Sequence, residues 1–364
     1  MLIIFIIVVA VQLAFYLFFF SRLADYELLS PSYNSLPSVS IVICAHDEIN
    51  SIKKNLPSIL GQKYPEYEVI VVNDNSQDDS EMVLMQMQLK YPHLRVRDIR
   101  NSSKVMRGKK YPLTIGIRAA SYDYVLLTDA DCSVSSDYWL RDMAALFNSK
   151  KEIILGYAPF KKYPGILNRF IRYEGFITAL QYFSFALSKM PFMGVGRNLA
   201  YRKQLFFDYN IYPKYPQLLS GDDDLLINAA ANNINTDIQI RNSTFMHSEP
   251  KKSWEEYWLQ KQRHVSTSKY YRLPHKLFLF AFAFTNFLTY LILLVCLLYT
   301  SFLFEVLLLF ILRLVAQGIV FKTAMKKLGE EDLFLIFPFM DILFLFYYLK
   351  LFSSSIKTKS NTWN

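Results

Sequence analysis

The chain has 364 residues, 52% of them hydrophobic, with 40 Lys and Arg against 31 Asp and Glu for a formal net charge of +9. That length holds one domain of ordinary size together with membrane-embedded segments. Three cysteines, Cys44, Cys132 and Cys296, are an odd count without CxxC spacing, which argues against a disulfide framework and a zinc site. The basic excess is accounted for by lipid head groups and nucleotide phosphates, so no nucleic-acid partner is called for.

Leu2 to Phe20 carries no charge and is long enough to cross a hydrocarbon core of about 30 Å as a helix. A cleaved signal peptide would show a basic start and a small-x-small site, and neither is present. An uncleaved anchor over 1–21 is therefore expected, followed by a linker over 22–37 whose Ser30–Pro37 part is rich in Ser, Pro and Asn.

Val39 to Cys44 is a β-branched run that predicts a strand ending in Ala45-His46-Asp47-Glu48. Asn50–Leu60 reads as a helix with Pro57 inside it. A second strand, Glu68–Val72, ends in Asn73-Asp74-Asn75, and a helix then runs to Lys90 before a strand at Leu94–Ile99. This alternation predicts a parallel sheet with right-handed crossovers. Arg107-Gly108-Lys109-Lys110 opens the next helical stretch. Such a charge run is ordinarily solvated, but beside carboxylates a Lys at a Gly turn can balance phosphate charge. No Walker pattern occurs here.

The apolar run Tyr124–Leu127 predicts a strand buried on both faces, and it ends in Thr128-Asp129-Ala130-Asp131. Ligands of open α/β sheets bind at that edge. Two hard oxygen donors one residue apart suit Mg²⁺ or Mn²⁺; a polar strand exit is the plainer reading of the same residues.

Ile166–Met190 is an aromatic amphipathic run, suited to a membrane surface or to a core. Gly194-Val195-Gly196-Arg197-Asn198-Leu199-Ala200-Tyr201 either lets the backbone approach a sugar or turns into a strand. Gly221-Asp222-Asp223-Asp224 precedes a helix at Leu225–Ala231, where acids favour the helix dipole and where a general base could also sit. On the helix Trp254–His264, Gln260 and Arg263 share a face at i, i+3.

Leu277–Tyr299 is uncharged, and apolar stretches at 302–321 and 333–352 carry Glu305, Arg313 and Asp341, which are expected to face protein rather than lipid. A membrane region of two or three helices over 277–352 and a tail over 353–364 follow. Arg22, the Lys- and Arg-rich middle of the chain and the loop Lys322–Lys327 place residues 21–276 on the cytoplasmic side of an inner, cytoplasmic cell membrane. Four crossings would then send Lys357 and Lys359 outside, against the same rule. Pro338 and Asp341 mark the last segment as a candidate for a broken or interfacial helix.

Taken in order, Val39–Glu48, Val71–Ser80, Gly108–Ile117, Thr128–Cys132, Gly221–Leu226 and Gln260–His264 resemble the family 2 inverting glycosyltransferases. The likeness is strongest to their membrane-bound bacterial members, related to cellulose and hyaluronan synthases, and runs over about 39–270. It implies an α/β fold, a GT-A-type nucleotide-sugar-binding domain that is mostly parallel and Rossmann-like, over 38–276, with transmembrane helices at both ends. By the same resemblance Ala45 and Glu48 line the nucleotide pocket, Asp74 contacts the base, and Lys109 or Lys110 lies near the diphosphate. Asp129 and Asp131 form the DxD pair that holds Mg²⁺ or Mn²⁺, Asp129 also reaching the donor.

Asp223 is the general base in the family's register, with Asp222 where the family has Glu; a shift of one residue is the alternative. Gln260 and Arg263 match QxxRW and, with Asp222, serve the diphosphate and acceptor. His264 stands where the family has a Trp that packs on the acceptor sugar of processive synthases. The implied partners are a nucleotide sugar, a UDP-sugar foremost, a lipid-linked or glycan acceptor, and membrane lipids. Two rivals are a nucleotidyltransferase of overlapping fold and a membrane scaffold that has lost turnover, the latter suggested by His264 and by Thr114, where relatives often carry Asn.

Overall fold

The computed structural model describes residues 1–28, 33–100, 108–299 and 302–357; Arg107 lies outside them. Seven strands form one sheet in the order β3-β2-β1-β4-β7-β6-β8. β1 (Val39–Ala45), β2 (Tyr67–Asp74), β3 (Leu94–Ile99) and β4 (Tyr124–Asp129) pair in parallel. Their crossovers contain the helices Ile49–Leu60, Ser80–Lys90 and Lys110–Ala119. β5 (Cys132–Val134) lies outside this sheet and pairs antiparallel with β9 (Met246–Ser248). β6 (Ile153–Gly156) pairs parallel with β8 (Thr236–Gln239), and β7 (Leu199–Arg202) runs antiparallel between β4 and β6. The glycine-containing segment 194–198 thus does turn into a strand.

Period-two alternation divides the sheet into two faces. Ile41, Ile43, Val69, Val71 and Leu126 pack against the helix Ile49–Leu60 and Trp139. Val42, Ile70, Val72, Val125 and Leu127 face the other way, into a core continuous with the apolar helices. Pro57 lies inside its helix without ending it.

Four helices are long and apolar enough to cross a membrane: Leu2–Asp25, Leu273–Leu298, Leu303–Lys327 and Glu331–Leu351. Arg313 is buried among them, bonded to Asp341 at 2.9 Å and to Asn286 at 2.6 Å. Asp341 also accepts from the Tyr290 hydroxyl at 2.8 Å. These charges face protein, whereas Glu305 is exposed in the first turn of its helix, where an acid favours the dipole.

The helix Ile166–Leu187 joins the two halves and is mostly buried. Phe185 meets Phe19 and Phe278, and Phe176 meets Phe321, all aromatic contacts to the apolar helices. Arg172 completes the join by bonding Glu330 at 2.5 Å and Asp332 at 2.6 Å.

Candidate active site

A cavity of about 420 Å³ opens at the C-terminal edge of β1 and β4. Cys44 and His46 line it beside Glu48. Ala45, one residue from either, does not. Its side chain points to the opposite face of the sheet and packs with Ile41 and Ile43, so any part it has in a nucleotide pocket is confined to its backbone. Asp74 is fully buried at the end of β2, outside the cavity wall, where its carbonyl meets His46 Nδ1 at 2.6 Å.

Asp129 and Asp131 both reach the cavity. The Lys109 ammonium rests on Asp129. Burial, the largest single effect, works against the charge on Lys109, yet Asp129, Cys44 and Asp222 together outweigh it and the pKa rises. Among the described residues Asp131 has no ion pair, and burial followed by the neighbouring Asp129 pushes its carboxyl up to about 6, against the pull of Arg197. The strand end therefore offers the cavity two carboxylates, one of them paired with Lys109. That donor set fits a divalent ion. Among the described residues no three His, Cys, Asp or Glu cluster as a closed cage. An ion here would keep a carboxylate or two and complete its shell from substrate oxygens and water, as Mg²⁺ usually does.

Lys110 takes a different path from Lys109. It is buried outside the cavity, donating to the carbonyls of Tyr215 at 2.9 Å and Leu218 at 2.8 Å. Burial lowers its pKa to about 8. This corrects the expectation that either lysine could meet a diphosphate: Lys110 anchors the loop that leads to the acid cluster. Gly108 helps seat the same loop. With φ at +67° it presses against the Leu219 carbonyl, leaving no room for a Cβ.

The acids that follow have three different environments. Asp222 lines the cavity, its backbone carbonyl accepting from the Tyr212 hydroxyl at 2.5 Å. Asp223 caps the helix Asp224–Ala230, its Oδ1 accepting from the Asp224 N–H at 2.7 Å and its Oδ2 from Gly196 N–H at 2.6 Å. Burial, then the charges of Asp222 and Asp224, push the Asp223 carboxyl up to about 8, against the pull of those two N–H groups. Asp224 is buried and accepts from Thr267 and, at 2.5 Å, from the Tyr271 hydroxyl.

Gln260, Arg263 and His264 line the opposite wall, presented by the helix Trp254–Val265. Although His264 is exposed at the cavity, the protein around it, followed by the charges of Lys261, Arg263 and Arg197, disfavours its protonated form and lowers its pKa. Burial lowers the Arg263 pKa, and Asp222 partly restores it.

The cavity also gathers residues that the sequence reading passed over. Glu174, from the helix Ile166–Leu187, forms an ion pair with Lys261. A lone acid in a long apolar helix was the available signal. Arg197 lies 4.3 Å above the Phe160 ring, with one guanidinium nitrogen buried and without a hydrogen-bond partner. Its neighbours Gly196 and Asn198 had drawn attention to backbone rather than to charge.

Residues 40–207, just under half of the chain, match the family model described as Glycosyl transferase family 2. Over this segment the chain is similar to glycosyl transferase family 2. The poly-beta-1,6-N-acetyl-D-glucosamine synthase of Staphylococcus epidermidis is 30% identical over 110 residues, 30% of this chain and 26% of that protein. The protein of the same name from Staphylococcus aureus strain MSSA476 is 32% identical over 123 residues, 33% of this chain and 29% of that protein. The matches thus span less than a third of the curated relatives. Among solved structures, the mannosyltransferase PcManGT from Pyrobaculum calidifontis, in complex with GDP-Man and Mn²⁺, aligns with a TM-score of 0.57 at 16% identity over 94% of this chain and 98% of that one. The glycosyltransferase domain has the GT-A fold, flanked by helices apolar enough to span a membrane.

Proposed function

We propose that this chain is a membrane-bound inverting glycosyltransferase that moves a sugar from a nucleotide-sugar donor to a lipid-linked or glycan acceptor in cell-surface polysaccharide or glycolipid synthesis. The observation that carries the reading is one cavity holding the strand-end pair Asp129/Asp131 together with Lys109, Asp223 and Arg263. The catalytic domain spans 38–276 and faces the cytoplasm, where nucleotide sugars are made, with the anchor at 1–21 and the membrane region at 277–352.

In this reading Asp129 and Asp131 hold Mg²⁺ or Mn²⁺, which when bound neutralises the leaving diphosphate as a Lewis acid. Lys109 and Arg263 add fixed positive charge around the phosphates. Asp223 accepts the proton of the acceptor hydroxyl as its oxygen forms the new bond to the anomeric carbon and the nucleoside diphosphate leaves. The two backbone N–H groups that hold its oxygens fix its direction without occupying every lone pair. A raised pKa makes it a stronger base once ionised. One displacement without a protein nucleophile inverts the anomeric centre.

The staphylococcal relatives' names put N-acetylglucosamine first among donor sugars to try. His264 offers less stacking surface than an indole, which favours short transfer over a long processive product. The test is transfer by membranes carrying the chain from a panel of radiolabelled nucleotide sugars, with and without EDTA. The product anomer is then assigned by NMR. Transfer that survives EDTA would remove the metal role, and retention at the anomeric carbon would remove the single displacement. No transfer from any donor would favour the scaffold reading.

A further inference from the structure

We propose that the last apolar helix, Phe337–Lys357, is not a fourth crossing but lies in the plane of the membrane, beneath the catalytic domain and on the same side. By length and composition it could span. Its contacts argue otherwise. Just before it, in the 3-10 turn Glu331–Ile336, Asp332 bonds Arg172 and Lys162, both at 2.6 Å. Near its far end, the Lys350 ammonium sits 3.9 Å over the Trp258 ring. Arg172 and Trp258 both belong to the catalytic domain, on helices that touch each other through Phe170 and Tyr257.

The thirteen steps of α-helix from Phe337 to Lys350 reach about 20 Å, and the 3-10 turn before them adds about 10 Å. An upright helix of that length would carry Lys350 to the opposite face of the bilayer, far from the surface that Asp332 touches. Between the two ends the helix stays against the catalytic domain, while Asp341 on another side reaches Arg313 and Tyr290 of the neighbouring apolar helices. Phe344 meets Phe170 and Tyr173, and Tyr347 meets Phe170 and Trp258.

The other face shows what covers it. Phe339, Ile342, Phe346 and Leu349 are exposed and recur at helical spacing, while Met340, Phe344, Tyr347 and Leu351 are buried against protein. An exposed apolar stripe on a helix packed beside membrane-spanning neighbours is a seat for lipid acyl chains. Lys350 then lies at head-group level, and the helix ends on the catalytic side. That removes the charge conflict which four crossings create. The same helix braces, through Tyr347 and Trp258, the helix that presents Gln260 and Arg263 to the cavity. None of this depends on which reaction the domain catalyses.

The test is labelling of introduced cysteines with a membrane-impermeant maleimide, in intact and permeabilised cells, over the wild-type background. Three full-length variants suffice: Asp137→Cys in the catalytic domain, Ser301→Cys between the second and third apolar helices, and Thr358→Cys after the last one. The expected result is that Thr358→Cys behaves as Asp137→Cys does, reacting only after permeabilisation, while Ser301→Cys reacts in intact cells. Labelling of Thr358→Cys together with Ser301→Cys would overturn the proposal. Labelling of all three alike would overturn it too, since the second helix would then not cross.

Discussion

Replacing Asp223 by Asn separates catalysis from folding. The carboxylate caps the helix Asp224–Ala230 and takes two backbone N–H groups, one on each oxygen. Asn is nearly as good a helix cap as Asp. Its amide keeps one acceptor and turns an –NH₂ toward the other N–H, at a cost of about 1 kcal/mol. Against this, a neutral group relieves repulsion from Asp222 and Asp224, which helps hold the Asp223 pKa high. The stability change is therefore small in net. Loss of a positioned base costs about 10²–10⁴ in rate. We expect the variant to melt within a few degrees of wild type, bind donor normally and transfer sugar at least a hundredfold more slowly. Because the base must be ionised, wild-type kcat/KM should climb as pH rises toward about 8 and level off above it; the variant should lose that limb. Measuring kcat/KM against pH for both proteins checks this. A variant within tenfold of wild type, or an unchanged pH limb, would refute the assignment. So would a larger catalytic loss in Asp224→Asn at equal stability, which would move the base by one residue.

Asp131→Ala should abolish EDTA-sensitive transfer while leaving the melting temperature near wild type, read by transfer assay and thermal denaturation. Arg197→Gln removes an enclosed cation that has no ion pair among the described residues, and should lower kcat/KM about tenfold or more with little change in stability. Lys110→Met leaves the carbonyls of Tyr215 and Leu218 without their donor; it should lower stability by about 1–3 kcal/mol and slow transfer through the loop that carries Asp222. Arg172→Met strands the buried Glu330 carboxylate, and a loss of about 3–5 kcal/mol is expected in denaturation of the detergent-solubilised protein.

The parallel half of the sheet was legible because β-branched runs bounded by acids read alike whether examined locally or in order. What failed was direction at single-residue resolution. Cys44 and Ala45 are neighbours on β1, so period-two alternation sends one toward the cavity and the other into the opposite core. Lys109 and Lys110 start a helix about 100° apart around its axis, enough to give one to Asp129 and the other to two loop carbonyls. Neither split leaves a trace in residue type. The strand Leu199–Arg202 was open as one of two readings, but its antiparallel direction was not legible, because its pairing comes from β4 and β6, which are distant in sequence.

The boundary between catalytic domain and membrane region was harder to read because one helix serves both. Around the axis of Ile166–Leu187, Glu174 and Thr178 look into the cavity, Phe176 and Phe185 look toward the apolar helices, and Arg172 reaches the loop before the last of them. A helix that is buried on nearly every side loses the polar face from which its seat could be inferred. Its composition therefore fits a core and a membrane surface equally, and its contacts show a buried helix packed against both the cavity residues and the apolar helices. Mechanically this matters, since interiors packed at crystal-like density transmit displacement rather than absorb it. A shift of the apolar helices against Phe176 or Phe185 is passed along the same rigid segment to Glu174, and from its ion pair with Lys261 to the helix bearing Gln260 and Arg263.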